Sequence, residues 1–283
     1  TTHAEGCVNA YGTYPINIYN LCMDGVGTPT DFSGTPNNAT TASYIIYSKY
    51  TNPNSGTKSW PNLVSAEGLY ISQSQVTGID MPKLQTIGHI FLNVSATACT
   101  GSWSSEPSGC IVQHLNTLRF DSLTAITGCM QIGGYYNTSQ YNHLLSSMFF
   151  PKLQYIAADI PTSGTMGPPY SSIRVSTGTG CRHLRTIRFG SYDPDDTSNT
   201  VTISSLKKVD GDVLILAPLS QNTVDHILYC LSKLDGTNGT TLYANHTVRL
   251  TNSGALTTAG MAASPPSAMG QTFKAILIQR GCT

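Results

Sequence analysis

The strongest constraint on the fold is a short sequence repeat. We call each copy of this repeat a line. The segment MPKLQTIGHIFLN, centred on Leu84, returns as FPKLQYIAADIPT, centred on Leu153. Each contains an apolar residue, two spacers, a leucine, two more spacers and an isoleucine. A chain that repeats such a line must stack its repeats, because one repeat alone cannot cover its own apolar face.

Other segments fit the same template and extend the series. The lines WPNLVSAEGLYIS, FDSLTAITGCMQI and ISSLKKVDGDVLI have their central leucine at Leu63, Leu123 and Leu206, and a weaker line, CRHLRTIRFGS, has it at Leu184. Period-two alternation in GLYIS and GDVLIL predicts short strands after the leucine. We therefore expect strands of successive repeats to pair as a parallel sheet over a continuous core.

These lines resemble the repeats of receptor L domains and of microbial surface proteins with leucine-rich-like coils, whose typical phrase is FPxLxxIGGxLxI. The resemblance covers roughly residues 60–220, but the glycine pair is lost or kept as Gly-Asp, and the regular asparagine ladder of standard leucine-rich repeats is absent. Together, repeat and resemblance predict a mainly β fold, a right-handed β-solenoid of irregular leucine-rich-like coils. The residues that carry the match are Phe150, Pro151, Lys152, Leu153 and Ile156, and Leu206, Val209, Gly211, Val213 and Ile215.

The segments beside the repeats predict two further units. Residues 1–58 read as an N-terminal β arm or cap, residues 59–220 as the solenoid, and residues 221–283 as a small α/β C-terminal cap. In this cap Thr223 can begin a first helix and Gly236 can end it. A strand in TTLYANHTVRL follows, and a second helix opens at Pro265-Pro266 and ends at Gly281. The apolar stripes of the two helices are Val224, Ile227, Leu228, Leu231 and Leu234, and Met269, Phe273, Ile276 and Leu277.

Charged residues are scarce and balanced. They make up 11% of the chain, and 15 basic residues offset 15 acidic ones. This balance predicts no basic face for nucleic acid and no basic tract for anionic lipid. No apolar run approaches the roughly 18 residues that span a membrane. A surface of Thr, Ser, Asn, Gln and Tyr suits wall material, glycan contact or self-association.

The cysteines are even in number and widely spaced, without a CxxC or CxxCH motif. This argues against zinc ribbons, iron–sulfur clusters, thioredoxin-like redox chemistry and attached haem. It predicts four disulfides in an oxidising compartment, with buried free thiols as the alternative. Proximity along the chain favours the pairs Cys7–Cys22, Cys99–Cys110, Cys129–Cys181 and Cys230–Cys282.

Two other features are compatible with a secreted or cell-surface protein. The chain begins at Thr1, which is either an arbitrary boundary or a mature N-terminus left by signal cleavage. N-x-S/T sequons permit glycosylation without requiring it. They lie at Asn38, Asn93, Asn137, Asn238 and Asn245.

The segment SYIIYSKY reads as a β-strand within the N-terminal arm. It either covers the first repeat, since an open end must be sealed, or pairs with a neighbouring subunit by strand addition. Under the second interpretation the assembly residues are Tyr44, Ile45, Ile46 and Tyr47.

Residues 93–114 are an insertion, and a disulfide between Cys99 and Cys110 would close its loop. Trp103 lies between these cysteines. It either projects as a binding residue, forming a saccharide-stacking surface with Tyr135 and Tyr136, or folds back onto its own loop.

No established catalytic motif is present, and no histidine pair shows metal-ligand spacing. Asp193, Asp195 and Asp196 could hold calcium, but the sequence favours a solvated turn because the EF-hand pattern fails.

The enzyme alternative is a polysaccharide hydrolase or lyase, which needs clustered carboxylates. Asp159 and Asp212 hold equivalent places in their lines, but on a solenoid they would be two coils apart. We therefore predict no enzyme, no cofactor and no metal.

These observations predict an extracellular structural protein, the subunit of a self-assembling filament, fibre or sheath, with itself as partner. An interface core depleted of charge is typical of stable contacts. The alternative is a surface adhesin or phage tail-type receptor-binding protein that recognises a glycan or a host protein. Neither prediction includes nucleic acid or membrane insertion.

Overall fold

The structure is a computed structural model of the 283-residue chain. The residues that it describes are 7–8, 21–22, 40–48, 55–72, 75–93, 115–132, 145–158, 171–175, 183–190, 204–250 and 263–283.

These stretches contain short strands throughout and two helices near the C-terminus. The helices are α1 (Gln221–Ser232) and α2 (Ala268–Gln279). The strands are β1 (Cys7–Val8), β2 (Leu21–Cys22), β3 (Thr41–Ser48), β4 (Ser55–Ser59), β5 (Ser65–Ser72), β6 (Gln75–Asp80), β7 (Thr86–Asn93), β8 (Thr117–Arg119), β9 (Ala125–Ile126), β10 (Met130–Ile132), β11 (Ser147–Phe150), β12 (Tyr155–Ile156), β13 (Ser171–Val175), β14 (Thr186–Phe189), β15 (Lys208–Val209), β16 (Asp212–Ile215) and β17 (Val248–Arg249).

Ten strands form the main sheet, and every pairing in it is parallel. Eight of them follow the path β15-β12-β9-β7-β10-β13-β16-β17, while β5 pairs with β7 and β3 pairs with β5. The long strand β7 serves both branches, because Ile87 pairs with Ile126 of β9 and Ile90 pairs with Met130 of β10. The parallel stacking of successive lines is therefore confirmed.

The repeated leucines occupy the core. The residue after each leucine donates its backbone N–H to the matching residue of the preceding line, as Gln154 does to the carbonyl of Thr124 at 2.8 Å and Lys207 does to that of Gln154 at 2.7 Å. These bonds hold the lines in register while the leucines face inward. The central leucines, all 3% exposed or less, are Leu63, Leu84, Leu123, Leu153 and Leu206.

A second sheet contains β8, β11 and β14, again in parallel. Ser147 pairs with both Thr117 and Thr186, which places Leu184 in register with Leu145. The prediction that Leu184 continues the first series is wrong. The line at Leu206 follows the line at Leu153 directly, because β12 pairs with β15.

Three phenylalanines join the second sheet to the core. Phe150 lies between Phe120 and Phe189, with ring centroids 6.2 Å and 5.8 Å away, and the Phe150 and Phe189 rings are stacked at an interplanar angle of 18°. All three side chains are 1% exposed or less. Phe150 is paired directly with Phe189, and Phe120 follows the last residue of β8, so the contacts between the rings follow from the register of the three strands.

The C-terminal helices form where the sequence predicts them, with different boundaries. Ser220, not Thr223, caps α1, because its side chain accepts from the Thr223 N–H. Ser267 caps α2 in the same way through the Gly270 N–H. Met269 is 47% exposed and does not belong to the buried face of α2. The predicted strand between the helices is only β17.

The predicted fold class, a mainly β right-handed β-solenoid with a β arm and a small cap, is wrong. The described residues form a mixed α/β structure with a long parallel half-barrel sheet, and no closed solenoid is found among them. The pattern of apolar residues reports which positions face inward and which lines are neighbours. It does not report whether separate sheets close around an axis, because closure depends on the segments that join the strands.

Candidate functional site

The main sheet has two unlike ends. At one end β3 is the terminal strand, paired with β5 from Thr41 opposite Ser65 to Ser48 opposite Ser72. No described strand is hydrogen-bonded to its other edge, although β2 lies beside it. An unpaired edge presents backbone donors and acceptors that a further strand can bind.

The sequence of β3 contains none of the residues that commonly protect an edge strand. It has eight residues, TASYIIYS, and contains no charged residue and no proline. Natural edge strands are commonly blunted by charge, proline, shortness or a bulge. The predicted assembly residues Tyr44, Ile45, Ile46 and Tyr47 all lie in this strand. Ile45 is completely buried, so its side chain belongs to the core of its own chain.

The opposite end of the sheet is covered by the C-terminal part of the chain. The N–H of Val248 in β17 donates to the Thr283 carbonyl at 2.8 Å, and the Thr283 N–H donates to the His246 carbonyl at 3.1 Å. On the other branch, the Thr241 N–H donates to the carbonyl of Lys207, next to β15, at 2.8 Å. These bonds leave fewer backbone groups at this end for strand addition.

Helix α1 covers the edge of the second sheet through a buried histidine. The Phe189 N–H of β14 donates to Nε2 of His226 at 2.9 Å, and Arg188 donates to the Asn222 carbonyl at 3.0 Å. Burial, and then repulsion from Arg188, lower the pKa of His226 from 6.5 to about 3. The imidazole is therefore neutral at physiological pH and can accept this backbone bond.

Polar side chains also join the two C-terminal helices. Asp225, which is 5% exposed, accepts from the Ser267 N–H at 2.9 Å, at the positive end of the α2 dipole. Arg280 donates to the carbonyls of Ser232 and Leu234 at 2.9 Å and 3.2 Å, which satisfies acceptors at the end of α1. Both contacts are structural.

The cysteines are only partly described. Cys230 and Cys282 are both buried free thiols, so the predicted disulfide between them is not formed. Burial raises the pKa of Cys230 to about 12, and its Sγ lies 3.4 Å from Nε2 of His226. Cys129 lies beside His89. Outside the described residues lie Cys99, Cys110 and Cys181.

The other N-terminal pair lies on neighbouring strands. Cys7 of β1 is directly opposite Cys22 of β2 in an antiparallel pair. Opposite residues in such a pair have Cα atoms about 4.5 to 5.5 Å apart, which is within the range of a disulfide. The backbone register is compatible with the predicted Cys7–Cys22 bond, which stays a prediction.

The predicted binding residues Trp103, Tyr135 and Tyr136 lie outside the described residues. The segments that contain them begin next to each other, because β7 and β10 are paired up to Leu92 and Ile132. They also end at neighbouring strands, β8 and β11. Both insertions thus leave the main sheet from neighbouring strands and enter the second sheet at neighbouring strands.

Of the carboxylate pair considered in the sequence analysis, the structure describes only Asp212. Asp212 accepts from the Thr247 N–H at 2.8 Å, and its Oδ1 lies 3.8 Å from Nδ1 of His246. These two contacts hold residues 246–247 against β16. Asp159, the proposed partner of Asp212, lies outside the described residues, as do Asp193, Asp195 and Asp196. Among the described side chains, no group of three or more His, Cys, Asp or Glu could hold a metal ion.

Three of the five sequon asparagines lie among the described residues. Asn238 and Asn245 are exposed and both have positive φ, 49° and 60°. Asn93 is the last residue of β7. Outside the described residues lie Asn38 and Asn137.

Sequence reasoning missed a second repeated phrase and the surface that it builds. The phrases LNTLRF, LSSMFF and LRTIRF begin at Leu115, Leu145 and Leu184 and supply β8, β11 and β14. Their shared leucine, second apolar residue and final phenylalanine were the available signal. The outward residues of these strands bring together Arg119, Phe149 and Arg188, which no prediction had singled out.

In the described residues no helix is long and apolar enough to cross a membrane. Comparison of the chain with protein-family models, with curated proteins and with solved structures finds no match.

Proposed function

We propose that this protein is a structural subunit of an extracellular filament, fibre or sheath, and that β3 joins it to another copy. The observation that carries the proposal is the difference between the two ends of the main sheet. The edge at β3 is long, uncharged and without a hydrogen-bonded neighbour among the described strands, while backbone bonds from Thr241 and Thr283 cover the other end.

The composition supports the same proposal. A chain with 11% charged residues and no net charge has weak electrostatic repulsion between copies. Strand addition would use backbone hydrogen bonds for affinity and side chains for register. Because the far end is covered, growth into a filament needs a second contact in addition to β3.

The test is electron microscopy and light scattering of the native, unreduced protein over a range of concentrations. We expect regular assemblies for the wild type and monomers for the Tyr44→Asp, Ile46→Asp double variant, because charges on an edge strand oppose strand addition. The matched control adds two charges elsewhere, Gln271→Asp with Ala275→Asp on the exposed side of α2, and should assemble normally. Assembly that persists in the β3 variant, or monomers at every wild-type concentration, would contradict the proposal.

The second candidate is a surface adhesin or phage tail-type receptor-binding protein that recognises a glycan or a host protein. The observation in its favour is that the insertions with Trp103 and with Tyr135 and Tyr136 start at neighbouring strands. A glycan and cell-binding screen with the wild type and with Trp103→Ala tests it. Binding that does not depend on Trp103 would argue against this loop as the contact.

A further inference from the structure

The outer surface of β8, β11 and β14 is a regular array of side chains. Burial alternates along each strand, so that Leu118, Met148 and Ile187 face the core and their neighbours face outward. We call the outward residues the arginine face. They form two rows, Thr117, Ser147 and Thr186 in one and Arg119, Phe149 and Arg188 in the other.

The second row places Phe149 between two arginine positions, Arg119 and Arg188. The Arg119 guanidinium carbon lies 5.9 Å from the centroid of the Phe149 ring, within cation–π distance. Strands are spaced about 4.8 Å apart, so the Arg119 and Arg188 positions are separated by about 10 Å across Phe149.

The first row supplies hydroxyl groups on the same face. Oγ1 of Thr117 and Oγ of Ser147 are 3.0 Å apart, and Thr186 continues the row on β14. Hydroxyls that can donate or accept thus lie beside the row that contains Arg119 and Arg188.

Positive charge on this face is partly offset by one identified carboxylate. Oδ1 of Asp121 accepts from Nε of Arg119 at 2.7 Å, and both side chains are more than half exposed. An exposed ion pair of this kind contributes little to stability, so an incoming anion can compete with Asp121. Arg188 also donates to the Asn222 carbonyl on α1.

We propose that the arginine face binds an acidic saccharide. Guanidinium groups recognise carboxylate or sulfate through paired hydrogen bonds. The hydroxyl row can bond to sugar hydroxyls, and the Phe149 ring can pack against the apolar side of a sugar ring. The distance between the flanking arginines suits anionic groups on alternate sugars of a chain.

Charge argues for this ligand over nucleic acid. Binding to a phosphate backbone needs many basic contacts and typically a strongly basic domain. This chain has no net charge, and the arginine face is narrow. A sparsely charged polymer with many hydroxyls fits it better. This proposal does not depend on assembly through β3.

The test measures binding of the full chain to three immobilised probes, polygalacturonate, dextran sulfate and neutral dextran, at low and at high salt. We expect binding to one or both anionic probes, weaker at high salt because ionic contacts are screened, and none to dextran. The two anionic probes distinguish a carboxylated from a sulfated ligand. Binding to neither of them, or equal binding to dextran, would overturn the proposal.

Variants locate the site. Arg119→Gln should weaken binding about tenfold, as expected for loss of a charge-assisted hydrogen bond. Asp121→Asn should strengthen binding, because it removes the competing carboxylate. Phe149→Ala should weaken it without a change of charge.

The matched control is Lys274→Gln on α2, which removes the same charge from an exposed position away from the face. It should bind like the wild type. Equal loss in Lys274→Gln and Arg119→Gln, or no gain in Asp121→Asn, would show that attraction is non-specific and would overturn the assignment. Thermal unfolding of each variant verifies that it is folded, and Arg188 is left unchanged because it also contacts α1.

Discussion

Acidification from pH 8 to pH 5 should loosen the packing of α1 on β14, because His226 must be neutral to accept the Phe189 N–H. The side chain is 4% exposed, and its pKa falls from 6.5 to about 3 through burial first and Arg188 second. The neighbouring Cys230 thiol, with its pKa raised to about 12, carries no compensating charge.

The direction of the effect follows from the sign of this shift. The folded state binds the proton less tightly than the unfolded state, so the stabilising contribution is complete above pH 6.5. It is lost progressively as the pH falls from 6.5 towards 3. At pH 5, about 1.5 pH units below the unfolded pKa, the free energy of unfolding should be lower by about 2 kcal/mol than at pH 8.

Denaturant unfolding at pH 8 and pH 5, followed by circular dichroism, measures this difference. His226→Gln keeps an acceptor for the Phe189 N–H but cannot titrate, so its loss of stability should be smaller by about 2 kcal/mol. His183→Gln changes the same residue type at an exposed position and should behave like the wild type. An unchanged pH dependence in His226→Gln would refute the assignment.

Three further predictions concern the core and the cysteines. Phe150→Ala removes the central ring of a buried stack and should lower the free energy of unfolding by about 3 to 5 kcal/mol, as measured by denaturation. Gly88→Ala should lower the melting temperature, because a Cβ there would overlap the Glu67 carbonyl of the paired strand; an unchanged melting temperature would contradict the register of β5 and β7. Peptide mapping without reduction should find Cys7 linked to Cys22, and a free thiol at either position would contradict that prediction.

Part of the fold could be predicted from the sequence. The leucine of each strong line is buried, and the lines at Leu63, Leu84 and Leu123 are neighbours in a parallel sheet. Both helices also lie near their predicted positions. Apolar periodicity and capping residues are local signals, and they act in the same way whatever architecture surrounds them.

The candidate site was less accessible to such reasoning. The segment around Tyr44 was predicted as a strand, but its position at the end of the sheet is a property of the whole topology. The arginine face was missed because Arg119 and Arg188 are 69 residues apart in the chain. Only the in-register pairing of β8, β11 and β14 places them on one surface.

The sequence by itself determined that the leucines of the five strong lines face the core and that these lines stack in parallel, because burial of apolar side chains imposes a period on each strand. Only the tertiary structure decided that Leu184 belongs with Leu145 and that Cys230 stays a free thiol, and it shows no closed solenoid among the residues that it describes. The spacing of leucine and isoleucine around Leu184 fits pairing with the Leu145 strand and pairing with the Leu153 line equally well. Long-range strand pairing, and the path of the chain between strands, choose between them.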